Sequence, residues 1–194
     1  MKYEYILASG SPRRKELLKE IVADFQIRPS EADESVLGEP SPKQLVKILS
    51  ARKAKEVSAR PENEGKIVLG SDTVVALGKK ILGKPKDEAD ATRMLKSLSG
   101  RKHCVWTGVC FAYTQKGKTK LKTFAVKTAV YFNELSEEWI KAYVAGGSPM
   151  DKAGAYGIQD GGLVNEIKGS YSNVVGLPVE RCKKAVQQIE KKGF

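Results

Sequence analysis

Only one histidine and three cysteines occur in 194 residues, and that scarcity removes several chemistries at once. A His-rich zinc site needs more imidazoles than this chain has, and H-E-x-x-H is absent. A Ser–His or Cys–His nucleophile pair would have to use His103, which falls in a predicted strand beside Cys104, where packing is the simpler role. Cys104, Cys110 and Cys182 form no C-x-x-C pair and are odd in number. They predict reduced thiols in a reducing compartment, the cytoplasm. No apolar run nears the roughly 20 residues of a membrane helix. The opening stretch Met1 to Ala8 carries Glu4 and a short apolar patch, so no signal peptide is expected there. Neither G-x-x-x-x-G-K-[ST] nor G-x-G-x-x-G occurs, which leaves P-loop and Rossmann readings without their motif. Aromatics make up 7% of the chain and do not interleave with basic residues, as a single-strand stacking platform requires.

What is present reads as globular. Hydrophobic residues are 41% and charged residues 29%, near the soluble average. A chain of this length buries about 70% of its extended surface, so one domain over residues 1–194, split into two lobes, is the economical reading. The 34 basic and 23 acidic residues leave a net charge of +11. That surplus attracts anions, whether nucleotides, nucleic acid or a membrane surface, without choosing among them. Glycines and prolines are spread evenly, with no repeat or linker.

The pattern predicts a buried strand at Tyr5–Ala8, then a helix capped by Ser11 with Pro12 at its first position and an apolar stripe of Leu17, Leu18, Ile21 and Val22. Ser41-Pro42 opens a second helix by the same device, with Leu45, Ile48, Leu49 and Val57 inward. Ile67–Leu69 and Val74–Leu77 read as two strands separated by a turn at Gly70-Ser71-Asp72-Thr73. Asp87 caps a helix that Gly100 stops. Val105–Tyr113 and Thr119–Phe132 form a hairpin turning near Gly117. Ser136 starts a helix ending at Gly146-Gly147. Leu163–Ile167 and Tyr171–Val175 read as strands, and a closing helix runs from Pro178 to about Lys191. The sum is an α/β or α+β chain with a mixed sheet. Lys116, Lys118, Lys120 and Lys122 alternate at period two, the pattern of an edge strand guarded against aggregation.

Four segments could carry chemistry. In Ser9-Gly10-Ser11-Pro12-Arg13-Arg14, two arginines occupy the positive end of a helix dipole, where acids are favoured. An anion held by backbone N–H groups, serine hydroxyls and guanidinium forks would resolve that conflict; the alternative is that both arginines extend into solvent. Asp72, at a predicted strand end, suits a metal ligand, a general base, or a turn residue bonding its own backbone. Lys84 is displayed at a fixed place by Pro85, and Lys53 lies in the second helix; alone, each is equally a solvated charge. The run from Asp151 to Gly162 has four glycines with Tyr156 and Gln159. It suggests a backbone close to a flat ligand, with a glutamine amide able to read a base edge; the alternative is a flexible surface loop.

In order and spacing, Ser9–Arg14, Gly70–Thr73, Gly83-Lys84-Pro85, Asp151–Gln159 and Val175-Gly176-Leu177-Pro178 resemble the Maf family of nucleoside triphosphate pyrophosphatases, over essentially the whole chain. The resemblance implies a two-lobed α/β fold like that of inosine triphosphatases, with a long mixed β-sheet flanked by helices and a central nucleotide cleft. It implies hydrolysis of a nucleoside triphosphate to the monophosphate and pyrophosphate with a divalent cation, Mg²⁺ or Mn²⁺. Family members are also linked to restraint of cell division. Carried over, Ser9, Ser11, Arg13 and Arg14 resemble a phosphate cradle, Asp72 a proton acceptor, and Glu34 a second acidic residue that holds metal with Asp72. Lys53 and Lys84 match lysines facing the triphosphate. Arg13, Thr73 and Gln159 resemble base-selecting positions of the dTTP/UTP branch rather than the 7-methyl-GTP branch. Two features depart from a clean match: Ser71 stands where alanine is usual, and Glu31, Asp33 and Glu34 crowd four positions. Competing readings are a pyrophosphatase of 7-methyl-GTP or other modified nucleotides, and a basic nucleic-acid-binding regulator of division without catalysis. No stripe demands an oligomer, and a homodimer stays open.

Overall fold

The computed structural model describes residues 1–194. Seven strands, β1 (Tyr5–Leu7), β2 (Gln26–Ile27), β3 (Ile67–Leu77), β4 (Lys80–Leu82), β5 (Lys102–Gln115), β6 (Lys118–Phe132) and β7 (Val164–Lys168), form one sheet. Its order is β2-β1-β3-β5-β6-β7, with β4 paired to β3 beyond the end of β1. β1 lies parallel to β2 and β3, and all other pairs are antiparallel, so the sheet is mixed as expected. Six helices flank it: α1 (Pro12–Lys19), α2 (Pro42–Ser58), α3 (Glu88–Leu98), α4 (Glu137–Ala145), α5 (Tyr171–Val175) and α6 (Val179–Lys192). None is long and apolar enough to cross a membrane.

The long strands organise the core. Along β3, β5 and β6, alternate residues face opposite sides of the sheet. One side meets α2, where Val68, Cys110 and Ala112 pack with Ala54 and Val57. The other side meets α1 and α6, where Leu69, Val109 and Phe111 pack with Leu18, Cys182 and Ile189. At the far end of the same strands, Val75, Val105 and Phe132 join α3 and α4 in a third cluster with Leu95, Leu98 and Ile140. β3 and β5 thus run from the clusters under α1, α2 and α6 to the cluster under α3 and α4, and Gly70–Val74 lies between them.

Ile21 and Val22 lie past the end of α1, and the short strands β2 and β4 carry no sequence signal; two further segments differ in kind from the sequence expectation. Gly70–Thr73 is not a turn: β3 is continuous, and each of these residues pairs with β5, from Gly70 opposite Cys110 to Thr73 opposite Thr107. Gly70 punctuates nothing; it makes room, since a Cβ there would lie 2.4 Å from the Ser50 carbonyl oxygen of α2. Tyr171–Val175 is a helix rather than a strand. Ser170 caps it by accepting the Asn173 backbone N–H, and the Asn173 amide is spent on Val105 O and Thr128 Oγ1. The other helix starts are as read: Ser11, Ser41, Asp87 and Ser136 each cap with their side chains, and Ser41 forms a capping box with Gln44. In α2 the face turned to the sheet is Val46, Leu49, Ala54 and Val57, while Leu45 and Ile48 are half-buried. The hairpin lysines Lys118, Lys120 and Lys122 sit on the half of β6 that β7, paired only at Ala129–Phe132, leaves as an edge; Lys116 itself lies in the turn at positive φ.

His103 is a packing residue. It is buried, its Nε2 lies 2.8 Å from the Tyr156 hydroxyl, and its ring meets Phe132 edge-on at 4.7 Å. Desolvation, partly countered by the nearby backbone carbonyl of Arg101, lowers its pKa from 6.5 to about 4. The unfolded chain therefore binds a proton that the folded chain refuses. This group's contribution to stability is complete above pH 6.5 and is lost as pH falls toward 4, on the order of 1 kcal/mol per pH unit. Urea unfolding midpoints measured from pH 7 to 4 should fall through that window, and the fall should be shallower in His103→Gln.

Candidate active site

A cavity of about 700 Å³ opens beside the middle of β3, and the ten residues assigned to the site by the resemblance line it: Ser9, Ser11, Arg13, Arg14, Glu34, Lys53, Asp72, Thr73, Lys84 and Gln159. The geometry follows from β3. Because β1 ends at Leu7, opposite Leu69, the stretch of β3 beyond it is uncovered on that edge until β4 begins. Asp72 and Thr73 are consecutive in the strand and so point to opposite faces.

On the α2 face, Asp72 Oδ1 accepts a hydrogen bond from Lys53 Nζ at 2.7 Å, and the same ammonium lies 2.8 Å from Glu34 Oε1. Asp72 and Lys53 are largely buried, whereas Glu34 is well exposed. Lys53 reaches this point because α2 rests directly on glycine: a Cβ at Gly108 would fall 2.1 Å from Val46 O, and Gly70 is equally crowded. Glycine within a strand marks such close backbone approach. The crowded acidic segment also resolves. Glu34 is the residue that meets Lys53, while Asp33 turns back onto the Ser35 N–H at 2.8 Å.

On the opposite face, Arg14 is stretched under the floor of the cleft. Its Nε donates to Gly176 O at 3.1 Å, Nη1 to Ser9 Oγ at 3.3 Å and Nη2 to Thr73 Oγ1 at 3.2 Å. Desolvation lowers its pKa; Asp72 opposes that shift and Arg13 adds to it. Thr73 is also within 3.0 Å of Thr107 Oγ1. Ser71, fully buried, donates to the carbonyls of Gly108 and Gly176 at 3.1 and 3.0 Å. Its hydroxyl therefore ties the turn that holds Arg14 to the sheet. Ser11 Oγ caps α1, and Ser9 Oγ accepts the Ser11 N–H at 3.2 Å.

Arg13 takes a different path. Its Nη1 lies 2.9 Å from Asp151 Oδ2, across the mouth of the cavity. Against the cost of burial, hydrogen bonds from Lys152 and Arg13 hold the Asp151 carboxyl below its usual range. The conflict of two arginines at a positive helix end is thus met by a carboxylate for Arg13 and by neutral acceptors for Arg14. Asp151 was missed as a partner in the sequence; two cations beside a helix N-terminus were the available signal that an anion belonged nearby.

Lys84 is exposed over the buried Pro85. Gly83 O accepts the Gly154 N–H at 2.9 Å, which stitches this segment to the loop from Asp151 to Gly162. Two glycines of that loop are required by internal packing, and Gly157 also lines the cavity. Gly154 has φ +70 and no room beside Val75, and a Cβ at Gly157 would lie 2.7 Å from the Asp160 carboxylate. Tyr156 is buried against His103, and Gln159 is exposed at the cavity.

The architecture defines the class first. The structure is similar to the Ham1 protein of Staphylococcus aureus, with a TM-score of 0.50 over 98% of both chains at 13% identity, which establishes the fold. The sequence model of Maf-like protein matches residues 4–189, and the chain belongs to that family. Among its relatives is a protein of Agathobacter rectalis, 46% identical over 96% of this chain and 97% of its own, named dTTP/UTP pyrophosphatase. Proteins of Bacillus cytotoxicus (46% identical, 96% of each chain) and Bacillus cereus strain AH820 (48%, 95% of this chain and 94% of the other) carry the same name.

Proposed function

We propose that this protein hydrolyses dTTP and UTP to the nucleoside monophosphate and pyrophosphate. One observation carries the reading: five cationic side chains, a buried carboxylate and a glutamine amide, drawn from distant parts of the sequence, line one cavity large enough for a nucleotide. The names of the relatives point to the same reaction.

Water attacks the α-phosphorus, the bond from that phosphorus to the bridging oxygen breaks, and pyrophosphate leaves. Asp72, fixed by Lys53, orients the water and takes its proton. Arg13, Lys53 and Lys84 stabilise charge on the equatorial and leaving oxygens, the largest source of acceleration in phosphoryl transfer. Arg14 holds Ser9 and Thr73 in place through the bonds described above. Ser9 and Ser11 border the phosphate end, while Arg13, Thr73 and Gln159 select the base.

The donor set fits Mg²⁺ or Mn²⁺. Asp72 and Glu34 present hard carboxylate oxygens on either side of one positive point, the Lys53 ammonium, at 2.7 and 2.8 Å. A divalent cation bound beside a triphosphate commonly takes one or two carboxylates and completes its shell with phosphate oxygens and water. When bound, the cation would offset charge on the triphosphate.

We place the protein in a reducing cytoplasm, in keeping with Cys110 and Cys182 buried and all three thiols unpaired. Pyrophosphate release from a panel of dTTP, UTP, CTP, GTP and 7-methyl-GTP, with and without Mg²⁺ or Mn²⁺, tests the whole reading. Metal-dependent cleavage confined to dTTP and UTP is expected. Gln159→Ala should lower the preference for those bases about tenfold, the worth of one or two lost hydrogen bonds, while cleavage itself persists. Salt-dependent nucleic-acid binding that survives Arg13→Ala, with no cleavage of any triphosphate, would favour the binding-protein alternative.

A further inference from the structure

Gln159 reaches the cavity from a short turn, Ile158–Asp160, and what holds that turn lies outside the cavity. Asp160 Oδ2 accepts hydrogen bonds from the Tyr143 hydroxyl and from Ser148 Oγ, the latter at 2.7 Å. The Tyr143 oxygen in turn accepts the Gly157 backbone N–H at 3.0 Å. The Tyr143 ring stacks on Trp139, one turn earlier in α4, with centroids 4.8 Å apart and planes 23° from parallel. Gly157 is crowded against the Asp160 carboxylate, and Gly162, at φ +73, lies in van der Waals contact with Trp139. Burial, and then the bond to Asp160, push the Tyr143 phenol up to about 12, so it donates at neutral pH.

The clamp also connects to the other end of the cleft. Ser148 Oγ accepts from Lys152 Nζ at 3.1 Å, Lys152 Nζ lies 2.9 Å from Asp151 Oδ1, and Asp151 Oδ2 takes Arg13. An unbroken polar chain therefore runs from the first turn of α1 to the turn that presents Gln159. None of Tyr143, Ser148 and Asp160 lines the cavity.

We infer that Tyr143, Ser148 and Asp160 are positioning residues that fix Gln159 against the base, so that base discrimination depends on a hydrogen-bonded clamp seated on α4 outside the cleft. This rests on Gln159 facing the base. Charged hydrogen bonds are strong enough to hold one loop conformation among several, and a site loses selectivity when a polar reader is misplaced by an ångström.

Tyr143→Phe is the gentle test, since it removes one oxygen and keeps the stack on Trp139; Asp160→Ala removes the acceptor from the other side. Steady-state kinetics on dTTP and CTP should show KM for dTTP rising about tenfold in both variants, with kcat within about twofold and the preference for dTTP over CTP reduced. Calorimetry should show dTMP binding weakened to the same degree and inorganic tripolyphosphate binding unchanged. Unaltered dTMP affinity and preference would overturn the clamp, as would equal weakening of dTMP and tripolyphosphate, the signature of general loosening. A wild-type protein that cleaves no triphosphate, yet binds dTMP in a Tyr143-dependent way, would overturn the hydrolase reading and keep the clamp. Wild-type protein that neither cleaves dTTP nor binds dTMP would overturn both.

Discussion

Replacing Asp72 by asparagine is expected to lower kcat about a thousandfold, within the range attributed to a positioned acid or base, while the protein stays folded. Asparagine matches the aspartate in shape, and its carbonyl oxygen can still accept from Lys53. The ammonium is not stranded, because Glu34 remains 2.8 Å away. Loss of stability should be about 1 kcal/mol, the scale of one weakened hydrogen bond. What the substitution removes is the negative charge and the ability to take a proton. Pyrophosphate release and a thermal melt on the same preparation check both halves, and wild-type turnover in the variant would rule Asp72 out as proton acceptor and metal ligand together.

Gly108→Ala should do the reverse, damaging the fold first and the chemistry through it. The added methyl would lie 2.1 Å from Val46 O and 2.4 Å from Val46 C, both backbone atoms of α2. A helix backbone cannot swing aside as a side chain can, so α2 must lift from the sheet. Overpacking of this kind costs about 3 kcal/mol, equivalent to a melting temperature about 6–12 °C lower for a chain of this size. Lys53 rides on α2, so its 2.7 Å contact with Asp72 opens as the helix lifts. Turnover should therefore fall even at temperatures where the variant is folded. A melting temperature within 2 °C of wild type would show that α2 does not rest on this glycine as described.

Asp72 was legible before the structure, whereas the contact at Gly108 was not, because it depends on where α2 crosses the sheet. Asp72, Thr73 and Glu34 were identifiable as site residues by their family resemblance, and the helix caps by local chemistry that needs no neighbours. The local geometry of Gly70–Thr73 was misread because glycine beside Asp and Thr has the composition of a turn. Pairing with β5 overrides that preference, and the pairing partners lie some forty residues away in the sequence. Tyr171–Val175 failed in the same way: aromatic and β-branched residues favour strands, but a serine cap and the buried Asn173 bonds made a short helix.

The sequence by itself determined the four side-chain-capped helix starts at Ser11, Ser41, Asp87 and Ser136 and the long hairpin, and its resemblance to the Maf family singled out ten of the residues that line the cleft. The caps and the hairpin follow from residue type and spacing, which are local quantities. Only the tertiary structure decided who meets whom. It set Lys53 between Asp72 and Glu34, gave Arg13 to Asp151, and turned Arg14 onto Ser9, Thr73 and Gly176. It also seated the Gln159 turn on Tyr143 and Ser148 through Asp160. Such pairings depend on strand register and on how closely a helix can approach a sheet, and both are fixed by contacts between residues far apart in the chain.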